Sequence, residues 1–88
     1  MSEWAVKRTE TFAKVLKKYK KNNELLSGLD KKIEILQKNP ENIGGYLSGS
    51  LHGYKSTRLI KNFRLIFSID EKNKVVYLEA LDHRKDIY

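Results

Sequence analysis

The spacing of apolar residues changes once along the chain, and that change sets its architecture. Phe12, Val15, Leu16 and Tyr19 recur at helical intervals; Leu26, Leu29, Ile33 and Leu36 repeat the pattern, with Leu25 beside them. After Tyr54 the pattern becomes that of strands, over 54–60 and 63–69, and a third run, Val75 to Leu81, is strongly apolar. Asn39-Pro40 ends the helical half, because the residue before a proline avoids the helical region. The connector 41–53 then holds four of the chain's five glycines. Residues 3–8 read as a short first strand. The predicted order is β-α-α-β-β-β: an α+β fold in which a small antiparallel sheet packs on an α-hairpin, as one domain over residues 1–88. With 88 residues the chain is too short for a large barrel or a doubly wound dinucleotide-binding sheet.

Local signals agree with this order. Thr9-Glu10-Thr11 offers N-cap side chains and an acid for a helix start. Asn22-Asn23 breaks the first helix, and the second begins near Glu24. Gly28 costs that helix some stability. Lys14, Lys17, Lys18, Lys20 and Lys21 crowd the first helix's outer face and end. Cations there complement the helix dipole, so Lys17, Lys18 and Lys21 read either as a solvated face or as nucleic-acid contacts.

The chemistry available is narrow. With no cysteine there is no disulfide framework, thiolate zinc site or thiol nucleophile. Two histidines make a structural metal site a poor fit, and no cofactor motif is present. No leader and no membrane-length apolar run is visible, so a soluble, cytoplasmic protein is expected. Eighteen Lys and Arg against 11 Asp and Glu give a net charge of +7. Nucleic acid is the first polyanion to consider, although an anionic membrane surface or an acidic protein fits the same charge. The cations are also segregated. From Ile43 to Ile69 there is no Asp or Glu, while Lys55, Arg58, Lys61 and Arg64 lie within that stretch, with His52.

The strand hairpin around Lys61-Asn62 focuses that charge. Phe63, Leu65, Phe67 and Ile69 form the apolar set that should face the helices. A two-residue loop would put Arg58 opposite Leu65 on that face, and burying an unpaired arginine costs several kcal/mol. A three-residue loop, Ile60-Lys61-Asn62, pairs Leu59 with Phe63 and Arg58 with Arg64 on the outward face; Asn62 would take the left-handed conformation at its end. Lys55 then falls on the core side, near enough to the strand end for its ammonium to reach solvent. Two arginines directly opposite repel each other, so an anion between them is the natural complement. Glu79 and Asp82 are the candidates to neutralise them instead. His83 is a candidate general acid or base, since histidine titrates near neutral pH. Tyr88 could stack on a base.

Three segments carry a family resemblance. Leu47-Ser48-Gly49-Ser50-Leu51-His52-Gly53-Tyr54, Phe63-Arg64-Leu65-Ile66-Phe67 and His83-Arg84-Lys85-Asp86-Ile87-Tyr88 resemble, in order, the strand-entry loop, arginine strand and tail of the RelE/ParE toxin superfamily. The loop is closest to the YoeB and YafQ branches, the tail to RelE-type members. The resemblance implies the RelE-like microbial RNase fold and a toxin of a type II toxin–antitoxin module. It implies a ribosome-dependent mRNA endoribonuclease that inhibits translation, cutting by 2′-hydroxyl attack to leave a 2′,3′-cyclic phosphate. The alternatives are a ParE-like toxin that inhibits DNA gyrase without catalysis, and an inactive member that only binds. On the same basis Arg64 matches the arginine that stabilises the transition state, and Arg58 the basic residue of the preceding strand. Arg84, His83 and Tyr88 match the functional residues of the tail. Lys55 and Lys61, with Lys17, Lys18 and Lys21, would contact RNA. The pattern also departs from the family: Gly45 stands where YoeB-like members carry a glutamate, Arg58 where YafQ-like members carry a histidine, and Thr57 replaces one of a lysine pair. The general base is therefore left open. The implied partners are an acidic, RelB-like antitoxin, mRNA and the ribosome.

Overall fold

The computed structural model describes residues 3–47, 53–60 and 62–83. Helix α1 spans Glu10–Lys17 and begins where the sequence signals it. Thr9 Oγ1 accepts from the Phe12 N–H at 3.1 Å and donates to Leu78 O at 2.9 Å, which fastens the helix start to the sheet. Helix α2, Asn23–Lys38, is capped by Asn22 Oδ1, which accepts from the Leu25 N–H at 3.1 Å. Helix α1 is shorter than its apolar spacing predicts. Residues 18–21 wind as turns, with the Lys18 and Tyr19 N–H groups donating to Val15 O and Leu16 O.

The strands are β1 (Ala5–Arg8), β2 (Gly45–Tyr46), β3 (Lys55–Arg58), β4 (Phe63–Asp70) and β5 (Val75–His83), in the sheet order β1-β5-β4-β3-β2. The fold is α+β, as predicted, with two differences in the sheet. It is mixed rather than wholly antiparallel, because β1 pairs in parallel with β5. It also gains β2 from within the glycine-rich connector, after a single 3₁₀ turn at Pro40–Asn42. Gly44 explains how the connector reaches β3. Its φ is +68°, and a Cβ there would collide with the Ser56 carbonyl, so only glycine permits this approach.

Both helices lie on one face of the sheet. Phe12 from α1 and Leu29 and Leu36 from α2 are buried with Leu65, Phe67, Val76 and Leu78 from β4 and β5. Gly28 has a use beyond its helical cost: a Cβ there would stand 2.9 Å from Ile60 Cγ2, so glycine lets the β3–β4 turn close on α2. The other face of the sheet carries Arg64, Ile66 and Ser68, all half-buried.

The far end of β4 is acidic. Asp70 accepts from the Asn73 backbone N–H and side-chain amide at 3.2 and 2.9 Å, which holds its carboxyl below the usual range. That contribution to stability is present above the ordinary carboxylate range and is lost as pH falls through the lowered value. Glu71 has the opposite sign. A hydrogen bond with Glu41, and the charge on Glu41, push its carboxyl up. Folding therefore favours protonated Glu71, and repulsion from Glu41 opposes folding once pH rises above the raised value. Glu71→Gln is expected to raise the neutral-pH melting temperature slightly, with the gain shrinking in acid and in high salt; thermal melts across pH and salt check this.

Candidate functional site

The hairpin between β3 and β4 builds the site. Lys55 pairs with Phe67, Ser56 with Ile66, Thr57 with Leu65 and Arg58 with Arg64. This is the register that core burial selects, although the turn achieves it differently. The Phe63 N–H donates to Ile60 O at 2.8 Å and the Leu59 N–H to Phe63 O at 3.0 Å, so Leu59 and Ile60 together oppose Phe63. A bulge supplies the one-residue offset. The expected conformation of Asn62 depends on Lys61, which lies outside the described residues. The bond from Leu59 to Phe63 also makes Arg58 and Arg64 the next, non-hydrogen-bonded pair. In such pairs facing side chains approach most closely.

A third charged residue joins the row. Arg64 lies opposite Asp82 on β5, so Arg58, Arg64 and Asp82 span three strands on the face without helices. Arg58 and Asp82 are exposed and Arg64 is half-buried between them. Among the described residues neither guanidinium is hydrogen-bonded or ion-paired. Of the two expected neutralising acids, Asp82 stands beside the pair, whereas Glu79 is engaged elsewhere, accepting from Ser68 Oγ at 2.7 Å. Two cations side by side on one face of a sheet can grip an anion from two sides. Arginine does so with paired N–H donors that match two oxygens of one phosphate.

His83 is held away from the arginine pair. It pairs with Phe63, on the helix side of the sheet, not on the arginine face. Its ring stacks on Phe63 at 4.4 Å and 9°, and Tyr19 from the end of α1 meets both rings edge-on. The cause is a bulge. The register passes from Ile66↔Ala80 to Phe67↔Leu78 and leaves Glu79 unpaired. Val76 and Leu78 face the helices; without the bulge, strict alternation would turn Asp82 inward and His83 outward. The apolar sequence carries this signal, since Leu81 follows Leu78 after three residues rather than two.

Lys55 departs from expectation. Rather than reaching solvent at the strand end, it is only 2% exposed. Its Nζ donates to Glu41 O at 2.9 Å and Pro40 O at 3.5 Å, and lies 4.9 Å from the centre of the Tyr46 ring. The ammonium binds the 3₁₀ turn to β3. Lys55→Met, which keeps the stem and removes the donors, is expected to cost about 2 kcal/mol, read as a lower urea midpoint at unchanged slope. Lys17, Lys18 and Lys21 are exposed at the end of α1 and in the turn after it. Lys61, Arg84, Tyr88 and His52 lie outside the described residues. No helix among the described residues is long and apolar enough to cross a membrane.

No protein-family model matches the chain. RelE4 of Methanocaldococcus jannaschii, named as a toxin, is 34% identical over 76 residues, covering 85% of this chain and 80% of that protein. The RelBE2 toxin–antitoxin complex of Mycobacterium tuberculosis contains a chain that superposes with a TM-score of 0.81 at 28% identity, covering 98% of this chain and 97% of that one. The archaeal RelE–RelB complex of Pyrococcus horikoshii contains one that superposes at 0.70 and 24% identity, covering 96% and 97%, and shows the same fold.

Proposed function

The chain belongs to the RelE family of toxins of toxin–antitoxin modules, and from that premise we propose that it is an mRNA endoribonuclease whose reactive linkage is held by Arg58 and Arg64. The observation that carries this reading is the cross-strand arginine pair on the face opposite the helices, with neither guanidinium engaged among the described residues.

The 2′-hydroxyl of one nucleotide attacks the adjacent phosphorus, and the bond to the 5′ oxygen of the next nucleotide breaks. The products are a 2′,3′-cyclic phosphate and a 5′-hydroxyl end. Negative charge builds on the non-bridging oxygens as phosphorus becomes five-coordinate. Arg64, half-buried and flanked by both neighbours, stabilises that charge, and Arg58 grips the same group from β3. Asp82, beside Arg64, can take up the 2′-hydroxyl proton, and the leaving oxygen takes one from water. Arg84 and Tyr88, which follow β5 in the sequence, and Lys61, between β3 and β4 in the sequence, would add RNA contacts. The ribosome supplies orientation of the mRNA, which lets an electrostatic site do without a strong base.

An acidic antitoxin is the partner that would silence this face, in keeping with the complexes in which the structural neighbours were solved. Induced expression of the wild-type chain should arrest growth and generate transcript fragments whose 3′ ends are captured by a ligase specific for 2′,3′-cyclic phosphates. Arrest with intact transcripts and an induced DNA-damage response would instead favour gyrase inhibition.

A further inference from the structure

At the same end of the sheet, on the opposite face from the arginines, His83, Phe63 and Tyr19 form a three-ring cluster. Phe63 is buried and covers one face of the imidazole in a parallel stack at 4.4 Å. Tyr19 stands at 87° to Phe63 and 81° to His83, with centroids 5.1 and 6.3 Å away. It braces the stack from the side without capping it. His83 itself is exposed, and among the described residues no further ring lies against it. The result is a flat π surface, backed by Phe63 and braced by Tyr19, with no other described ring on its outer side.

The surroundings are cationic. Tyr19 lies within the run Lys17, Lys18, Lys20 and Lys21, all four exposed. Helix α1 has only eight residues, and its dipole accounts for one or two cations near its end rather than four. Flat rings interleaved with lysines are the recurring chemistry of single-strand recognition: the rings take base faces and the cations take the backbone. Phe63 and Arg64 are adjacent in β4, so the ring cluster and the arginine pair lie back to back at one strand end. A strand rounding that end would meet both.

We infer that the outer face of His83, backed by Phe63 and Tyr19, is a stacking shelf for one base of single-stranded RNA, with its flanking phosphates held by Lys17, Lys18, Lys20 and Lys21. The inference rests on the ribonuclease reading and assigns His83 to binding rather than to proton transfer. A π face serves any base, so the shelf supplies affinity with little sequence preference.

The test uses the full chain and a short 2′-O-methyl RNA carrying 2-aminopurine, which cannot be cut and whose fluorescence falls on stacking. Wild type should bind and quench. His83→Ala should lose quenching and about ten- to a hundredfold in affinity. His83→Phe, flat but unable to carry a proton, should keep quenching, affinity and cleavage of unmodified RNA on ribosomes. Arg64→Ala should abolish cleavage while 2-aminopurine still stacks. If His83→Ala and wild type bind and quench alike, the shelf is wrong while the ribonuclease reading stands. If His83→Phe binds but no longer cuts, His83 is an acid–base residue and the shelf assignment fails. Lost affinity for an antitoxin with unchanged RNA binding would assign the rings to a protein contact and overturn it too. No RNA binding by wild type, together with intact transcripts in cells, would remove both readings.

Discussion

Replacing Arg64 by alanine is expected to abolish growth arrest and to lower transcript cleavage by about two to three orders of magnitude, while the melting temperature stays within a few degrees. The size follows from what one preorganised donor contributes when charge develops in a transition state. The small stability change follows from its place. Arg64 is half-buried on the face without helices, and its removal relieves repulsion from Arg58 directly opposite. Arg64→Lys should restore little, because an ammonium is a point charge and cannot bond two phosphate oxygens in one plane. Arg58→Ala should have the same direction with a smaller effect, since Arg58 is exposed on a strand nearer the sheet edge. Primer extension on a reporter transcript, with a thermal melt of each variant, measures both quantities.

The second large effect is on folding. Phe67 sits on the middle strand of the sheet, fully buried, in contact with the cluster that includes Phe12, Leu29, Leu36, Leu65, Val76 and Leu78. Phe67→Ala is expected to cost about 3–5 kcal/mol, from lost burial plus the cavity left behind. Domains of this size commonly have only about 5–15 kcal/mol in total, so the variant should melt roughly 12–40 °C lower or be largely unfolded at 37 °C. Lys72→Ala, in the exposed turn between β4 and β5, should change stability by no more than about 0.5 kcal/mol. Urea unfolding of the three proteins checks the contrast.

Local signals carried much of the fold. Thr9 and Asn22 cap the helices, and Asn39-Pro40 stops α2. The cost of burying Arg58 selected the β3–β4 register and with it the arginine pair. Long-range placement was not legible. Nothing within Ala5–Arg8 says that its neighbour is the last strand or that the pairing is parallel. Strand β2 is two residues among glycines, too short to leave a pattern. In the candidate site, the surroundings of His83 and of Lys55 were not legible, for different reasons. The face of His83 depends on one unpaired residue, Glu79, which resets the alternation of β5. The burial of Lys55 depends on carbonyls of a turn 14 and 15 residues earlier, which come within its reach only once the connector has folded back.

The central claim concerns where the reacting linkage sits. A crystal structure of the chain with a short 2′-O-methyl RNA tests it most directly. The account predicts a phosphate bridging the Arg58 and Arg64 side chains on the face opposite α1 and α2. A bound strand that leaves both arginines without a phosphate, lying along the helices instead, would contradict it.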